Sequence, residues 1–280
     1  MHSRKSVLHH WERLLLASGV DSPRLSAQVL LAHILGIPRL EMLLDLNAPV
    51  EEAVCVRMEI LGNRRSTGEP VAYLTGTKEF YGLDFEVGPQ VLIPRPETEL
   101  ILDHMREALD ENACLQALDI GTGSGALAVS GAVLFPRLRV VAVDISLEAL
   151  KIARRNAAAH DVAARISFVQ GDLVQALRLC SFDVIMVNLP YVPLVTKHAL
   201  SPEVVLHEPH LALFSGPDGL DCYRELAQNF AGRMKPGTLL WCEIDSSQGA
   251  LMKDLFTPIS NRVRILKDYA GLDRVVAVVF

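Results

Sequence analysis

The stretch that most constrains the fold is Ser181-Phe-Asp-Val-Ile-Met-Val-Asn-Leu-Pro-Tyr191. Its apolar residues run straight into Asn188. This is the pattern of a strand buried on both faces, as in a parallel sheet with helices on either side. The expected class is therefore α/β. Ligands of open α/β sheets bind beyond the carboxyl ends of the strands, so Asn188, Leu189, Pro190 and Tyr191 stand where chemistry is usually carried out. An Asn side-chain oxygen and the Leu189 backbone carbonyl can together accept both hydrogens of a planar NH2 group, and a Tyr ring can stack on the flat group that bears it. A strand end followed by a Pro turn, with Tyr191 in the core, is the alternative that this stretch alone leaves open.

Other strand ends carry related signals. Gln116-Ala-Leu-Asp-Ile120 reads as a strand entering Gly121-Thr-Gly-Ser-Gly125, with a helix over 126–133 after it. Glycines at alternate positions let the backbone turn sharply and approach a ligand. The next strand, 138–144, ends in Asp144 about 20 residues after the glycine loop, where a carboxylate accepts hydrogen bonds from ribose hydroxyls. A third strand, 166–170, runs into Gly171-Asp172-Leu173. The glycine spacing is not G-x-G-x-x-G, and it lacks the Lys and Ser/Thr of a P-loop. With Asp119 two residues before the first glycine, it is similar to the D-x-G-x-G-x-G loop of S-adenosylmethionine (SAM) methyltransferases. The candidate cofactor-binding residues are therefore Asp119, Gly121, Thr122, Gly123, Ser124, Gly125, Asp144, Asp172 and Leu173, together with Asn188. A Rossmann-like domain whose loop binds nothing is the alternative. Residues 237–244 read as a further buried strand, and 263–267 with 274–280 as a hairpin closing the sheet.

The first 65 or so residues follow helical spacing. Val7, Trp11, Leu14 and Leu15 recur on a first helix. Ser22-Pro23 is expected to open a second, with Ser22 as N-cap and Pro23 at the first position. Its expected apolar face is Leu25, Val29, Leu30, His33 and Ile34, and Gly36 ends it. A short third segment follows Pro38, and Pro49 precedes a fourth helix with Val54, Met58 and Leu61 on one side. His9, His10 and His33 have no partners at metal-ligand spacing, so no metal site is expected. Beyond this bundle, Gly82 amid aromatic and apolar alternation suggests a hairpin. Two prolines then fix the backbone around Arg95. Pro94, Arg95, Pro96 and Glu97 are candidate substrate-side residues, as is Glu208. The plain alternative makes Pro96 a helix start whose acids favour the helix dipole.

Composition excludes several classes. Half of the 280 residues are hydrophobic, 21% are charged, and the net charge is −6. That is ample material for a core and lacks the electrostatic footprint of a general nucleic-acid binder. The five cysteines form no CxxC pair and read as small buried hydrophobes in a reducing compartment. The first ten residues are polar and no apolar run approaches the roughly 18 residues of a membrane span, so a cytoplasmic protein with no membrane partner is expected.

Taken together, the chain resembles the release-factor glutamine methyltransferases (the HemK/PrmC family) over nearly all its length. The resemblance rests on Gly68-Glu-Pro70, Ala72-Tyr73, Glu79-Phe-Tyr-Gly82, Ile93-Pro-Arg-Pro-Glu-Thr-Glu99, Leu118-Asp-Ile-Gly-Thr-Gly-Ser-Gly125, Asn188-x-Pro-Tyr191, Glu208-Pro209, Gly216-x-Asp-Gly-Leu220, Lys267-Asp268 and Gly271-Leu-Asp-Arg274. It implies a small helical N-terminal domain, a β-hairpin linker and a seven-stranded class I methyltransferase domain, with boundaries at 1–66, 67–94 and 95–280. It implies SAM-dependent N5-methylation of the glutamine in the Gly-Gly-Gln motif of class 1 peptide-chain release factors, with S-adenosylhomocysteine as product and translation termination as the process served. Gly121, Gly123 and Gly125 would cradle the methionine end of the cofactor, Asp144 would hold the ribose, and Asp172 with Leu173 would flank the adenine. Asn188 to Tyr191 would hold the glutamine amide. The helical domain would dock substrate, and a monomer is expected.

Two departures stand out. The usual Asn-Pro-Pro-Tyr is Asn-Leu-Pro-Tyr here. Leu189 keeps the backbone carbonyl but loses rigidity, and Pro190 still biases it towards an extended conformation. His207 stands where a Tyr often precedes Glu-Pro. Three other readings compete: a ribosomal-protein glutamine methyltransferase, an adenine-N6 DNA methyltransferase, and a non-catalytic SAM-binding adaptor. The acidic charge and the lack of a DNA-recognition domain weigh against the second, and the intact Asn188 and Tyr191 against the third.

Overall fold

The computed structural model describes residues 2–175 and 177–280. Two compact units emerge from its contacts: residues 1–77 with 200–207, and residues 78–199 with 208–280.

The first unit is helical. A two-residue strand β1 (His2–Ser3) pairs with β2 (Pro49–Val50), and around them run α1 (Arg4–Ala17), α2 (Pro23–Leu35), α3 (Arg39–Leu44), α4 (Glu52–Ser66) and α5 (Val71–Thr75). Ser3 and Ser6 form a reciprocal capping box that starts α1 earlier than the apolar spacing indicates. Val7, Leu8, Trp11 and Leu15 are buried, whereas Leu14 faces outward. Gly62 of α4 lies flat against Trp11, where a Cβ would fall 2.3 Å from the indole ring. Buried Arg65 donates to the Glu69 carbonyl at 2.8 Å and pairs with Glu203 at 2.8 Å, tying residues 200–207 into this unit.

Two expectations for α2 need correction. Ser22 is the N-cap residue, but its side chain makes no capping hydrogen bond. Its backbone (φ −130°, ψ 66°) lies outside the extended geometry that caps usually adopt. The buried face comprises Ala27, Leu30, Leu31 and Ile34, while Leu25 and His33 are exposed. Because α1 and α4 both pack on α2, the buried stripe is broader and rotated relative to a one-sided reading. Gly36 ends the helix in the left-handed region, as expected.

The second unit opens with a hairpin, β3 (Thr77–Phe80) and β4 (Leu83–Glu86). Its turn residues Tyr81 and Gly82 have φ of 52° and 76°, the mirror-image turn that matches strand twist. Two carboxylates hold this turn: Glu99 accepts the Tyr81 N–H at 2.8 Å and Glu79 accepts the Gly82 N–H at 2.6 Å. Next come α6 (Glu99–Ala108), β5 (Gln116–Ile120), α7 (Ala126–Leu134), β6 (Arg139–Asp144), α8 (Leu147–Ala159), β7 (Ile166–Gln170) and β8 (Val184–Val187). After α9 (Pro202–His207), which lies in the helical unit, come α10 (Asp221–Phe230), β9 (Leu239–Glu243), α11 (Gly249–Phe256), β10 (Arg262–Lys267) and β11 (Asp273–Val279).

Seven of the described strands form one sheet in the order β10-β11-β9-β8-β5-β6-β7. Strands β7, β6, β5, β8 and β9 are parallel, and β11 is antiparallel to both β9 and β10. The all-apolar β8 is buried along its whole length. On one face, Leu118, Ile120, Ile185, Val187, Leu240 and Cys242 pack with Tyr223, Leu226 and Phe230 of α10 and Met252 and Phe256 of α11. On the other, Gly131 of α7 approaches Leu102 of α6 and Met186 of β8. This is the seven-stranded α/β architecture that the resemblance implies. The cysteine expectation is corrected: all five are free, but only Cys242 is buried, and Cys114 and Cys180 are exposed. The latter two lie in the connections that lead into β5 and β8, where local apolar sequence does not become core. No helix among the described residues is long and apolar enough to cross a membrane.

Candidate active site

Sheet register assembles the site. Ile120 of β5 lies opposite Val187 of β8, and Val187 opposite Cys242 of β9. The next residue on each strand therefore brings Gly121, Asn188 and Glu243 side by side at the carboxyl edge. On the other flank Ile120 pairs with Val143, so Asp144 follows beside Gly121, with Gln170 opposite it. The chain order reverses between β5 and β8, which makes this edge the topological switch point where ligands bind in such sheets.

A cleft of about 240 Å³ opens there. Asp119, Gly121, Thr122, Gly123, Ser124, Asp144, Asp172, Leu173, Asn188, Leu189, Pro190, Pro94 and Arg95 all contribute to its wall. Gly125, Pro96, Glu97, Tyr191 and Glu208 do not line it, and Pro96 and Glu97 are exposed. Gly125 caps α7 at φ 82°, and a Cβ there would lie 3.1 Å from that of Ala153. Pro96 and Glu97 form a single 3-10 turn ahead of α6. Glu208, almost wholly buried, accepts the Ile93 N–H at 3.1 Å and pairs with Arg95, so it aims a cleft residue from outside the cleft. Asp218 and Arg224 pair with each other, and Arg224 also reaches Asp221 at 2.9 Å.

The glycine loop is held from below by two acids. Buried Asp119 accepts the Thr122 hydroxyl at 2.6 Å and the Ala128 N–H at 3.1 Å, both on Oδ2. Burial pushes its pKa up to about 7, against the pull of those hydrogen bonds. Asp144 accepts the Gly123 N–H and the Ser146 N–H, each at 2.9 Å and on different oxygens. Burial raises its pKa too. Each carboxylate oxygen has two acceptor directions, so Asp144 can still take hydroxyl donors. Gly121 needs to be glycine twice over: its φ is 75°, and a Cβ would lie 3.0 Å from Leu189 Cδ2. Leu173 also adopts a positive φ of 47°, a strained conformation for a branched side chain.

At the end of β8, Asn188 donates both Nδ2 hydrogens, to Thr98 Oγ1 at 3.0 Å and to Glu243 Oε2 at 3.1 Å. Tyr191 packs against the core cluster and donates its hydroxyl to Glu243 Oε1 at 2.9 Å. Burial, then the adjacent Glu243, drives the phenol pKa far up, so Tyr191 stays protonated. Among the described residues, no protein donor reaches Asn188 Oδ1 or the Leu189 carbonyl, which leaves two acceptors at the wall.

Four residues were not singled out from sequence. Thr98 lies one position past the chosen Pro94–Glu97 run. Glu243 ends an apolar strand in a buried acid, the same signal that Asp144 gives. Asn156 and Gln248 have no local signal; they matter only because distant loops meet them.

Comparison with known proteins identifies the family. The family model for the PrmC N-terminal domain matches residues 6–76, and that for the Methyltransferase small domain matches residues 96–207. The release factor glutamine methyltransferase of Moorella thermoacetica is 44% identical over 264 residues, covering 94% of this chain and 93% of its own. That of Nitratidesulfovibrio vulgaris is 40% identical over 274 residues, covering 96% and 92%. Among solved structures, a methyltransferase from Pyrococcus furiosus shares the fold, with a TM-score of 0.53 at 20% identity over 78% of this chain and 98% of that one. On its near-complete match to these relatives, the chain belongs to the release factor glutamine methyltransferase family.

Proposed function

We propose that the cleft binds SAM and that the protein methylates the side-chain amide nitrogen of the glutamine in the Gly-Gly-Gln motif of class 1 release factors, releasing S-adenosylhomocysteine. The observation that supports this reading is that Asn188 and Leu189 line the cleft beside Gly121, with Asn188 Oδ1 and the Leu189 carbonyl free of protein donors among the described residues.

The residues present suit the cofactor. Gly121 and Gly123 are held at positive φ, so no side chain stands between the loop and a ligand. Asp144 retains acceptor capacity for ribose hydroxyls, and Asp172 with Leu173 supplies the wall for a flat base. Asp144 and Asp172 line the cleft against one cation among the described lining residues, Arg95, which is itself paired with Glu208, a charge balance suited to a ligand bearing ammonium and sulfonium groups. When bound, SAM supplies a methyl group already activated for transfer.

The protein's own task is alignment and electrostatics. A carboxamide nitrogen is a poor nucleophile because its lone pair is delocalised into the carbonyl. Asn188 Oδ1 and the Leu189 carbonyl would each accept one substrate N–H, fixing the nitrogen in place. The same two acceptors favour the positive charge that grows on that nitrogen. Tyr191, packed on the core and tied to Glu243, would brace the segment that carries these acceptors. No strong base is needed, because an N-methylated amide cation sheds its proton readily. Replacing the usual proline by Leu189 preserves the carbonyl that matters, and the buried Leu189 side chain restores by packing some of the rigidity a proline would give.

The helical unit would dock the release factor. One chain carries every residue in this scheme, so we propose a monomer working in the cytoplasm. Methyl transfer from labelled SAM to purified release factor tests the reading, with a Gly-Gly-Gln glutamine-to-alanine factor and naked DNA as controls. Label on the wild-type factor alone is the expected result; label on DNA or on a ribosomal protein would discard the substrate.

A further inference from the structure

Resting on that reading, we propose that Glu243 is a positioning residue which decides the end of the Asn188 carboxamide that meets the substrate. The two ends of a carboxamide are nearly equal in shape and opposite in hydrogen bonding. Turned round, Asn188 would point two donors at a substrate NH2 that is itself a pair of donors. Something behind Asn188 must therefore fix its orientation.

Both Nδ2 hydrogens are taken, one by Thr98 Oγ1 and one by Glu243 Oε2. A hydroxyl cannot choose the end by itself, because it can donate or accept. An ionised carboxylate only accepts, so the 3.1 Å contact with Glu243 Oε2 admits the Nδ2 end of Asn188 and excludes the Oδ1 end. Glu243 thus fixes which end of Asn188 turns inward. It also accepts from Tyr191, so one carboxylate orients both ends of the Asn-x-Pro-Tyr segment.

Stability alone does not account for an acid here. Glu243 is 1% exposed, and burying a carboxylate is costly even when it is well bonded. A glutamine in the same space is nearly isosteric and carries no charge. What glutamine cannot do is accept at both ends. Its own NH2 would face either Asn188 or Tyr191, and the first case would turn Asn188 round.

The test compares Glu243→Gln, Asn188→Asp and the double variant with the unsubstituted enzyme, reading methyl transfer to release factor, SAM affinity and thermal midpoint. Glu243→Gln is expected to lower kcat about tenfold or more, with SAM affinity and thermal midpoint nearly unchanged. Asn188→Asp sets two carboxylates against each other and is expected to fall further. The double variant exchanges donor and acceptor: the new amide at position 243 donates to one oxygen of the new carboxylate at position 188 and leaves the other oxygen for the substrate. It is expected to exceed Asn188→Asp in turnover, a rescue that a merely structural role does not produce. Glu243→Gln with turnover equal to the unsubstituted enzyme, or a double variant that shows the product of the two single losses, would overturn the inference. No label on the release factor with the unsubstituted enzyme overturns the functional reading and the inference with it, so the two failures are distinguishable.

Discussion

Gln248 donates a 2.9 Å hydrogen bond from Nε2 to the backbone carbonyl of Tyr191. The same amide reaches the Asp218 carbonyl at 3.2 Å, and its Oε1 accepts the Asp245 N–H at 3.0 Å. One buried side chain from the start of α11 therefore pins the loop that leaves the candidate active site. Gly219 closes the other side: its φ is 81°, and a Cβ there would lie 2.0 Å from the Tyr191 oxygen.

Gly219→Ala is consequently expected to displace Tyr191 rather than to unfold the protein. The obstacle is backbone, which cannot rotate away as a flexible side chain could. A misplacement near 1 Å costs on the order of 100-fold in rate. Labelled methyl transfer should show that loss while calorimetry shows SAM affinity largely preserved, because the glycine loop and Asp144 are untouched. Equal loss of SAM binding would mean that the loop carries cofactor rather than substrate geometry.

Asn156 governs a different joint. Its Nδ2 donates to the Ser124 carbonyl at 2.8 Å and to the Glu86 carbonyl at 3.0 Å, and its Oδ1 accepts the Glu86 N–H at 2.7 Å. It thereby stitches β4 to the glycine loop. Asn156→Ala should cost about 3 kcal/mol, at roughly 1 kcal/mol per hydrogen bond, and should weaken SAM binding by freeing Ser124. The adjacent Arg155–Glu86 pair is exposed, so Arg155→Ala should cost well under about 1 kcal/mol. Urea denaturation of the two variants compares them directly.

These joints mark the boundary of what could be read from the chain. The buried run into Asn188, the glycine loop and the acid ending β6 are legible because each is a local pattern with a physical period or a conformational demand. Hydrophobic periodicity also yields the helices, although the buried side of α2 depends on having two helical neighbours. Glu243, Thr98, Gln248 and Asn156 act across elements that are far apart in sequence, and their partners exist only once strand order and register are set. Glu243 follows Cys242, which pairs with Val187 more than fifty positions earlier; nothing local to either strand announces that meeting.

The buried Asp119 makes a prediction about pH. Its folded pKa of about 7 exceeds the value near 3.9 of an exposed Asp. Between these values the folded state binds more protons than the unfolded state, so this group's contribution to stability is full below about pH 4 and is lost as pH rises through about 7. Asp119→Asn is neutral throughout and keeps an oxygen to accept from Thr122 and Ala128. The thermal midpoint of the variant relative to the unsubstituted protein should therefore climb from pH 5 to pH 8, by an amount corresponding to a few kcal/mol. A pH-independent difference would mean that Asp119 ionises like an exposed acid, and that the two hydrogen bonds outweigh its burial.

Asn188 and Asp144 stand at neighbouring positions along the same sheet edge, with Gly121 between them, yet they should fail in opposite ways. Asp144→Ala removes the acceptor of the Gly123 and Ser146 amides together with the proposed ribose contact. SAM affinity should fall by about tenfold or more, since hydrogen bonds to a charged group contribute roughly 1.5–3 kcal/mol, and saturating SAM should recover much of the turnover. Asn188→Ala leaves the loop and Asp144 intact while removing an acceptor for the substrate amide. Its turnover should collapse at every SAM concentration, with SAM affinity close to that of the unsubstituted enzyme. Titration calorimetry with SAM, followed by single-turnover methyl transfer at saturation, separates the two. If saturating SAM rescued Asn188→Ala, Asn188 would belong to the cofactor and the substrate amide would need another pair of acceptors. If it failed to rescue Asp144→Ala, the carboxylate would be shaping the glycine loop for transfer as well as for binding.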